Sequence, residues 1–216
     1  MKKRLWAAII AVSIFYCCVI SVSATEVNTA SELASDNAFT LGETKDNAYE
    51  NSYFNLRIPI LKGMKFDSAD EVARLNGQLA DLASSDTAKQ LITDGRTVIV
   101  AGASDNKSTL LNISINNVGS KIIKQYGEQS LLAGDTKTIA SEYEKMGYTS
   151  VSVSVDTITF LGEDHPSLLV TGNIMGRPFY ERQVCVIKGD YIAVVTVSGQ
   201  SENAFSIISQ ATKLFI

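Results

Sequence analysis

Phe54, Leu56, Ile58 and Ile60 alternate with Asn55, Arg57 and Pro59, the period of a strand with one buried face. Pro59 cannot donate to a ladder, so the strand lies at an edge or ends there. Ser68-Ala69-Asp70-Glu71 then fits a capping box, and Val72, Leu75, Leu79 and Leu82 follow at spacings of three and four. That spacing predicts an amphipathic helix, and a second short helical stretch follows over Asp86 to Thr93.

Thr97 to Ala103 is a largely apolar strand, and Leu111, Ile113 and Ile115 alternate with Asn112, Ser114 and Asn116 in the next. The Asp105-Asn106-Lys107 turn between them predicts a hairpin. A helical region is expected over Glu128 to Met146, with Ile139, Tyr143 and Met146 on one face, Gly134 as an interruption and Gly147 as the C-terminal stop.

From Tyr148 the pattern is almost wholly strand. Val151, Val153 and Val155 alternate with serines, and the apolar phase then moves to Ile158 and Phe160. A shift of one in a period of two predicts a bulge or a bend. Strands over Ser167 to Met175, Pro178 to Lys188 and Tyr191 to Ser198 follow, joined by tight turns at Gly176-Arg177 and Gly189-Asp190. Ser201 caps a last helix with Ala204, Ile208, Ala211 and Phe215 on one side. The fold class is α+β, a mostly antiparallel β-sheet flanked by helices.

The N-terminus changes where this domain is expected to act. Lys2, Lys3 and Arg4 precede an apolar run from Leu5 to Ile20, and Val22-Ser23-Ala24 is a small-residue cleavage site, so residues 1–24 read as a signal peptide cut after Ala24. The run approaches the length of a membrane-spanning helix, which leaves an uncleaved anchor as the alternative. Cys17 and Cys18 follow the bulky Phe15 and Tyr16, which excludes a lipoprotein site. Residues 25–48 are acidic and polar without a sustained apolar pattern and read as a flexible linker, leaving 49–216 as a single domain.

Removing the signal takes 3 of the 19 basic residues and none of the 23 acidic ones, leaving 16 against 23, a formal charge of −7. That balance argues against nucleic acid or anionic lipid as the main partner, since both select a cationic face. Membrane contact then depends on retention of the N-terminal segment. Cys185 is the only cysteine after cleavage, so stability must come from the core of about 190 residues. Export without an internal disulfide points to a bacterial protein, secreted or at the cell surface.

Candidate chemistry is sparse. Cys185 and His165 form the single thiol-imidazole combination available to a nucleophile. With a two-residue loop at Gly176-Arg177 they fall on opposite sheet faces; a three-residue loop would reverse that parity. Glu163-Asp164-His165 offers metal-type ligands, but three adjacent residues cannot all point inward and Pro166 follows, so a solvated loop is expected. Phosphate loops, metalloprotease helices and nucleophile elbows are absent as motifs. The triplets Asn106-Lys107-Ser108 and Asn112-Ile113-Ser114 matter only in a glycosylating host. No catalytic residue, metal or cofactor is therefore assigned.

In the two-residue register Thr171, Asn173, Tyr180 and Arg182 share one face near the hairpin tip, with Asn173 opposite Tyr180 and Thr171 opposite Arg182. An aromatic beside a guanidinium is a composition that interfaces favour, and these four residues are the candidate binding site.

The order of elements resembles the PsbP-like fold. The resemblance rests on an opening with Tyr49, Asn51, Tyr53, Phe54 and Asn55, an Ile-Pro-Ile step with Gly63 and Phe66, Asn116-Asn117 closing a strand, the Gly189-Asp190-Tyr191-Ile192 turn, and a last helix holding Phe205 and Ile208. That family includes the photosystem II extrinsic protein PsbP and exported bacterial proteins of the DcrB type. Met64-Lys65-Phe66 stands where a tryptophan often follows the glycine. The resemblance implies a sheet between helices that serves as a binding or assembly scaffold, without enzymatic activity, for an unknown protein or cell-wall component. A small-molecule or cation-binding protein is the alternative. Fold alone never fixes function.

Overall fold

The computed structural model describes residues 39–76, 85–105 and 107–215. The expected signal peptide, the linker up to residue 38, Leu79 and Leu82 lie outside them. A small antiparallel sheet comes first, made of β1 (Glu43–Lys45), β2 (Ala48–Asn51) and β3 (Leu56–Pro59) in that order. Strand β1 and the start of β2 therefore lie inside the stretch expected to be linker. Phe39 and Leu41 pack against the core, and Tyr49 donates its hydroxyl to the Leu41 carbonyl at 2.6 Å, which anchors this segment.

The main sheet has seven strands, all antiparallel, in the order β4 (Lys65–Phe66), β5 (Val98–Ser104), β6 (Leu110–Asn117), β10 (Tyr191–Gly199), β9 (Arg177–Lys188), β8 (Glu163–Ile174), β7 (Tyr148–Phe160). Helices α1 (Ala69–Leu75) and α2 (Ser85–Thr93) precede β5, and α3 (Ser120–Ala133) and α4 (Thr136–Lys145) separate β6 from β7. The expected Ser68–Glu71 capping box starts α1.

Each face of the large sheet has its own core. One is covered by the small sheet and α2: Leu111, Ile113 and Ile115 of β6 and Ala193, Val195 and Val197 of β10 pack with Leu56, Ile58, Ala88 and Ile92. The other lies under α3 and α4, where Leu131, Leu132, Ile139 and Tyr143 meet Leu168, Val170, Phe179, Cys185, Ile192 and Val194. This two-sided burial explains the phase shift in β7. Val151, Val153 and Val155 serve the core under the helices, whereas Ile158 and Phe160 serve the other. The β7–β8 register runs unbroken from Ser152 to Phe160, so the expected bulge is absent there. The irregularity sits instead between Thr149 and Ser152, where Ser150 has φ 53°.

Two other expectations are corrected. The last helix is short: a 3₁₀ turn over Glu202–Phe205 leads into α5 (Ser206–Ser209). Beyond it Thr212 exchanges two backbone hydrogen bonds with Arg57, at 2.9 and 3.0 Å, and Phe215 is exposed. A backbone engaged with β3 cannot also continue a helix. Helical structure before β7 starts earlier than expected, at Ser120, and bends at Gly127, whose φ of 70° and ψ of 171° are open to glycine. No side chain of α3 itself caps its start. Asp190, in the β9–β10 turn, supplies the cap: its carboxylate accepts from Ser120 N at 2.7 Å and its carbonyl from Val118 N and Gly119 N. Asp190→Ala is expected to cost about 1 kcal/mol, measured as a shifted denaturant midpoint at unchanged slope. A loss below about 0.3 kcal/mol would remove this capping role.

Candidate functional site

Three hairpins connect strands β7 to β10, and the candidate residues lie near the turn of the second. Strands β7 and β8 are joined through Leu161-Gly162, β8 and β9 through Met175-Gly176, and β9 and β10 through Gly189-Asp190. The second turn lies one residue earlier than the expected Gly176-Arg177, with Ile174 opposite Arg177. Met175 takes φ 49° and Gly176 φ 73°, the two positive values that this tight hairpin turn requires. The register consequently slips by two residues, an even number, so the four candidate residues still share a face. Thr171 opposes Tyr180, Asn173 opposes Pro178 and Leu169 opposes Arg182.

Thr171, Asn173 and Tyr180 are half-buried. Arg182 is held much more firmly. Its Nη1 donates to Asp156 Oδ1 and to Ser167 Oγ, both at 2.7 Å, and its guanidinium lies 5.1 Å from the centre of the Phe205 ring. Only 13% of the side chain is exposed. Arg182 therefore fixes the base of the face, and Tyr180 with Leu169 and Thr171 forms its accessible part. The partners Asp156, Ser167 and Phe205 lie on three separate elements, and no spacing in the sequence connects them to Arg182.

Under the helices the same strand β9 buries a polar row. Gln183 opposes Thr196, which opposes Asn112, and Glu181 opposes Ser198; all five are buried. Glu181 Oε1 accepts from the Tyr143 hydroxyl at 2.6 Å and from Gln183 Nε2 at 2.8 Å. Burial, then the charge of Glu181, holds the Tyr143 phenol well above its ordinary range, so it remains a donor. Tyr148 is pushed up by the same two causes, and its hydroxyl is buried with no hydrogen-bond partner among the described residues.

Cys185 and His165 meet through a third residue, Glu128, in the helix just past the Gly127 bend. Glu128 Oε1 lies 2.7 Å from His165 Nδ1 and accepts from Cys185 Sγ at 3.7 Å. The thiol has no exposed surface and a carboxylate for a neighbour, whereas reactive thiols sit in accessible, electropositive surroundings. Glu128 stands 37 residues from His165 and 57 from Cys185, out of reach of any sequence pattern. Glu163, Asp164 and His165 are the first residues of β8 and do not form a loop. Glu163 pairs with Lys213 and His165 with Glu128. Among the described residues no group of three His, Cys, Asp or Glu is arranged to hold a metal ion.

A cavity of about 310 Å³ opens beside β5, lined by Gly42, Thr44, Asp67, Val72, Asn76 and the β5 backbone. Asp67 is the ionisable group in this lining nearest β5, close enough to the Gly102 backbone to leave no room there for a side chain. Burial, then the charge of Glu71, raises the Asp67 carboxyl above its ordinary value, against the opposing pull of Arg74. A folded-state pKa above the unfolded one favours the fold at low pH, and that contribution is lost as pH rises through the folded value. Asp67→Asn is therefore expected to be more stable than the parent at pH 7, with the gain vanishing below about pH 3, where both states are protonated. Denaturant titrations at the two pH values check this, and a gain that persists in acid would refute the electrostatic origin.

No family model matches the chain, and no curated protein matches it. Among solved structures it is similar to LpqN of Mycobacterium tuberculosis, a protein involved in cell envelope biogenesis, at 10% identity and a TM-score of 0.36 over 73% of this chain and 82% of that one. A protein of unknown function from Pseudomonas aeruginosa, PA94, is similar at 14% identity and a TM-score of 0.24 over 45% of this chain and 62% of that one. Likenesses of this degree carry no activity from one chain to the other. No helix among the described residues is long and apolar enough to cross a membrane.

Proposed function

We propose that this chain is an exported, non-catalytic binding or assembly module of the bacterial cell surface, and that a partner protein or wall polymer seats on the half-exposed face of β8 and β9. The observation that carries this reading is the firm seat of Arg182, bonded to Asp156 and Ser167 and set against the Phe205 ring, on the same partly open sheet face as the half-buried Tyr180, Thr171 and Asn173. A fixed guanidinium beside a half-exposed aromatic is a composition that interfaces favour, and a group already held loses little freedom on binding.

The test is saturable binding of the full chain to isolated cell wall and to solubilised envelope protein, compared with Tyr180→Ala. Arg182 is left intact, since its loss would disturb the frame itself. At least a tenfold loss of affinity, about 1.4 kcal/mol, is expected. Equal binding by the variant would place recognition elsewhere.

The cavity beside β5 favours a second reading, a small-molecule or cation-binding protein. A ligand that prefers the native state must raise the unfolding temperature with its concentration. A metabolite and metal panel that leaves that temperature unchanged would reject this reading.

A further inference from the structure

Among the described residues the two sheets end in four edges, and three of them are guarded: on β3, Thr212 takes both backbone hydrogen bonds of Arg57. Strand β1 is three residues long, fully exposed, and carries Glu43 and Lys45. Along β5 the edge is blocked piece by piece. Strand β4 pairs with Ala103 and Ser104, the Asn76 side chain bonds both the N–H and the C=O of Ile99 at 2.8 and 3.0 Å, and Asp67 N donates to the Gly102 carbonyl at 2.8 Å. A register shift between Ile99 and Ala101 breaks the rest of that edge. Short strands, charges, bulges and covering groups are the usual means of keeping edges from pairing.

Strand β7 has none of these along most of its length. It runs for 13 residues, pairs with β8 on one side, and has no strand on the other among the described residues. Its irregularity is confined to the first few residues, and it contains neither proline nor lysine. Its one charge, Asp156, is already paired with Arg182 at 2.7 Å. Ser152, Ser154, Thr157 and Thr159 are exposed.

We infer that β7 is a pairing edge for a second copy of this chain, joined antiparallel about a two-fold axis at Ser154. Over the regular part of the strand it is nearly self-complementary about that residue: Val153 would face the second copy's Val155 and Ser152 its Asp156. An even register keeps each residue on the same sheet face in both copies, so the cores under the helices stay aligned. No two like charges meet at this register, whereas an axis at Asp156 would set two carboxylates opposite each other. Cross-strand valine pairs and hydroxyl pairs are the contacts that stabilise such a ladder.

Ser154 is exposed, so charges placed there test the register without touching a core. Sedimentation of the full chain is expected to show a concentration-dependent dimer. Ser154→Lys and Ser154→Glu should each weaken it at least tenfold by setting like charges across the axis, and an equal mixture of the two should restore it. Amide hydrogen exchange needs no substitution: exchange along β7 should slow as protein concentration rises, while β5 exchange stays constant. A parent chain monomeric at every concentration overturns the inference, as does a dimer indifferent to both substitutions.

Discussion

Glu181→Leu is expected to destabilise the fold by about 3 kcal/mol, although leucine is close to glutamate in size and the site has no solvent exposure. An apolar residue in a buried site might be supposed to help. Here it would leave the Tyr143 hydroxyl and the Gln183 amide without the carboxyl oxygen that both now use. Each buried donor stranded in this way costs about 1–3 kcal/mol. Adding Tyr143→Phe removes one of the stranded donors, so the double variant should recover about 1 kcal/mol of the loss. Urea unfolding of the four proteins of that cycle gives the coupling directly. Additive losses would mean that Tyr143 and Glu181 do not depend on each other, and that the polar row is incidental to how α4 sits on the sheet.

Arg182→Ala is the second large effect, about 2.5 kcal/mol. Removing one partner of a fully buried ion pair costs about 3–5 kcal/mol, and the figure is lower here because 42% of the Asp156 side chain is exposed and can rehydrate. The contact with the Phe205 ring adds up to about 1 kcal/mol. Arg182→Lys keeps the charge but cannot reach Asp156, Ser167 and Phe205 together, so it should regain less than half of the loss. A lysine variant as stable as the parent would show that charge alone matters at this position. The same pair of variants separates structure from recognition. Any partner binding that returns with lysine while stability does not would depend on the cation rather than on the frame.

Element type was legible wherever local pattern and burial agree. The capping box at Ser68 and Glu71, the alternation of Leu111, Ile113 and Ile115, and the Gly147 stop all depend on neighbours in the chain. What escaped depends on distant residues. The start of α3 is capped by Asp190, so nothing near Gly119 announces it. The change of phase in β7 resembles a bulge because a sequence records which residues are apolar and not which side of a sheet is covered. Met175 in a left-handed turn defies the usual Asn-Gly signal, and the binding face kept its composition only because the resulting slip was even. The pairing of Cys185 and His165 with Glu128 needed the bent helix, which no periodicity reveals.

Strand β10 is the last strand in the chain and yet the middle one in the large sheet. Among the described residues it is the one strand that bridges the β4–β6 ribbon and the β7–β9 meander, pairing Ser114 with Val194 on one side and Cys185 with Val194 on the other. A ribosome that has released everything up to Lys188 has therefore made two half-sheets with nothing to join them. Closing the sheet brings together residues some eighty positions apart, a non-local step of the kind that slows folding, and it must wait for the C-terminus. A chain truncated before Tyr191 would keep most of its mass and lose its architecture.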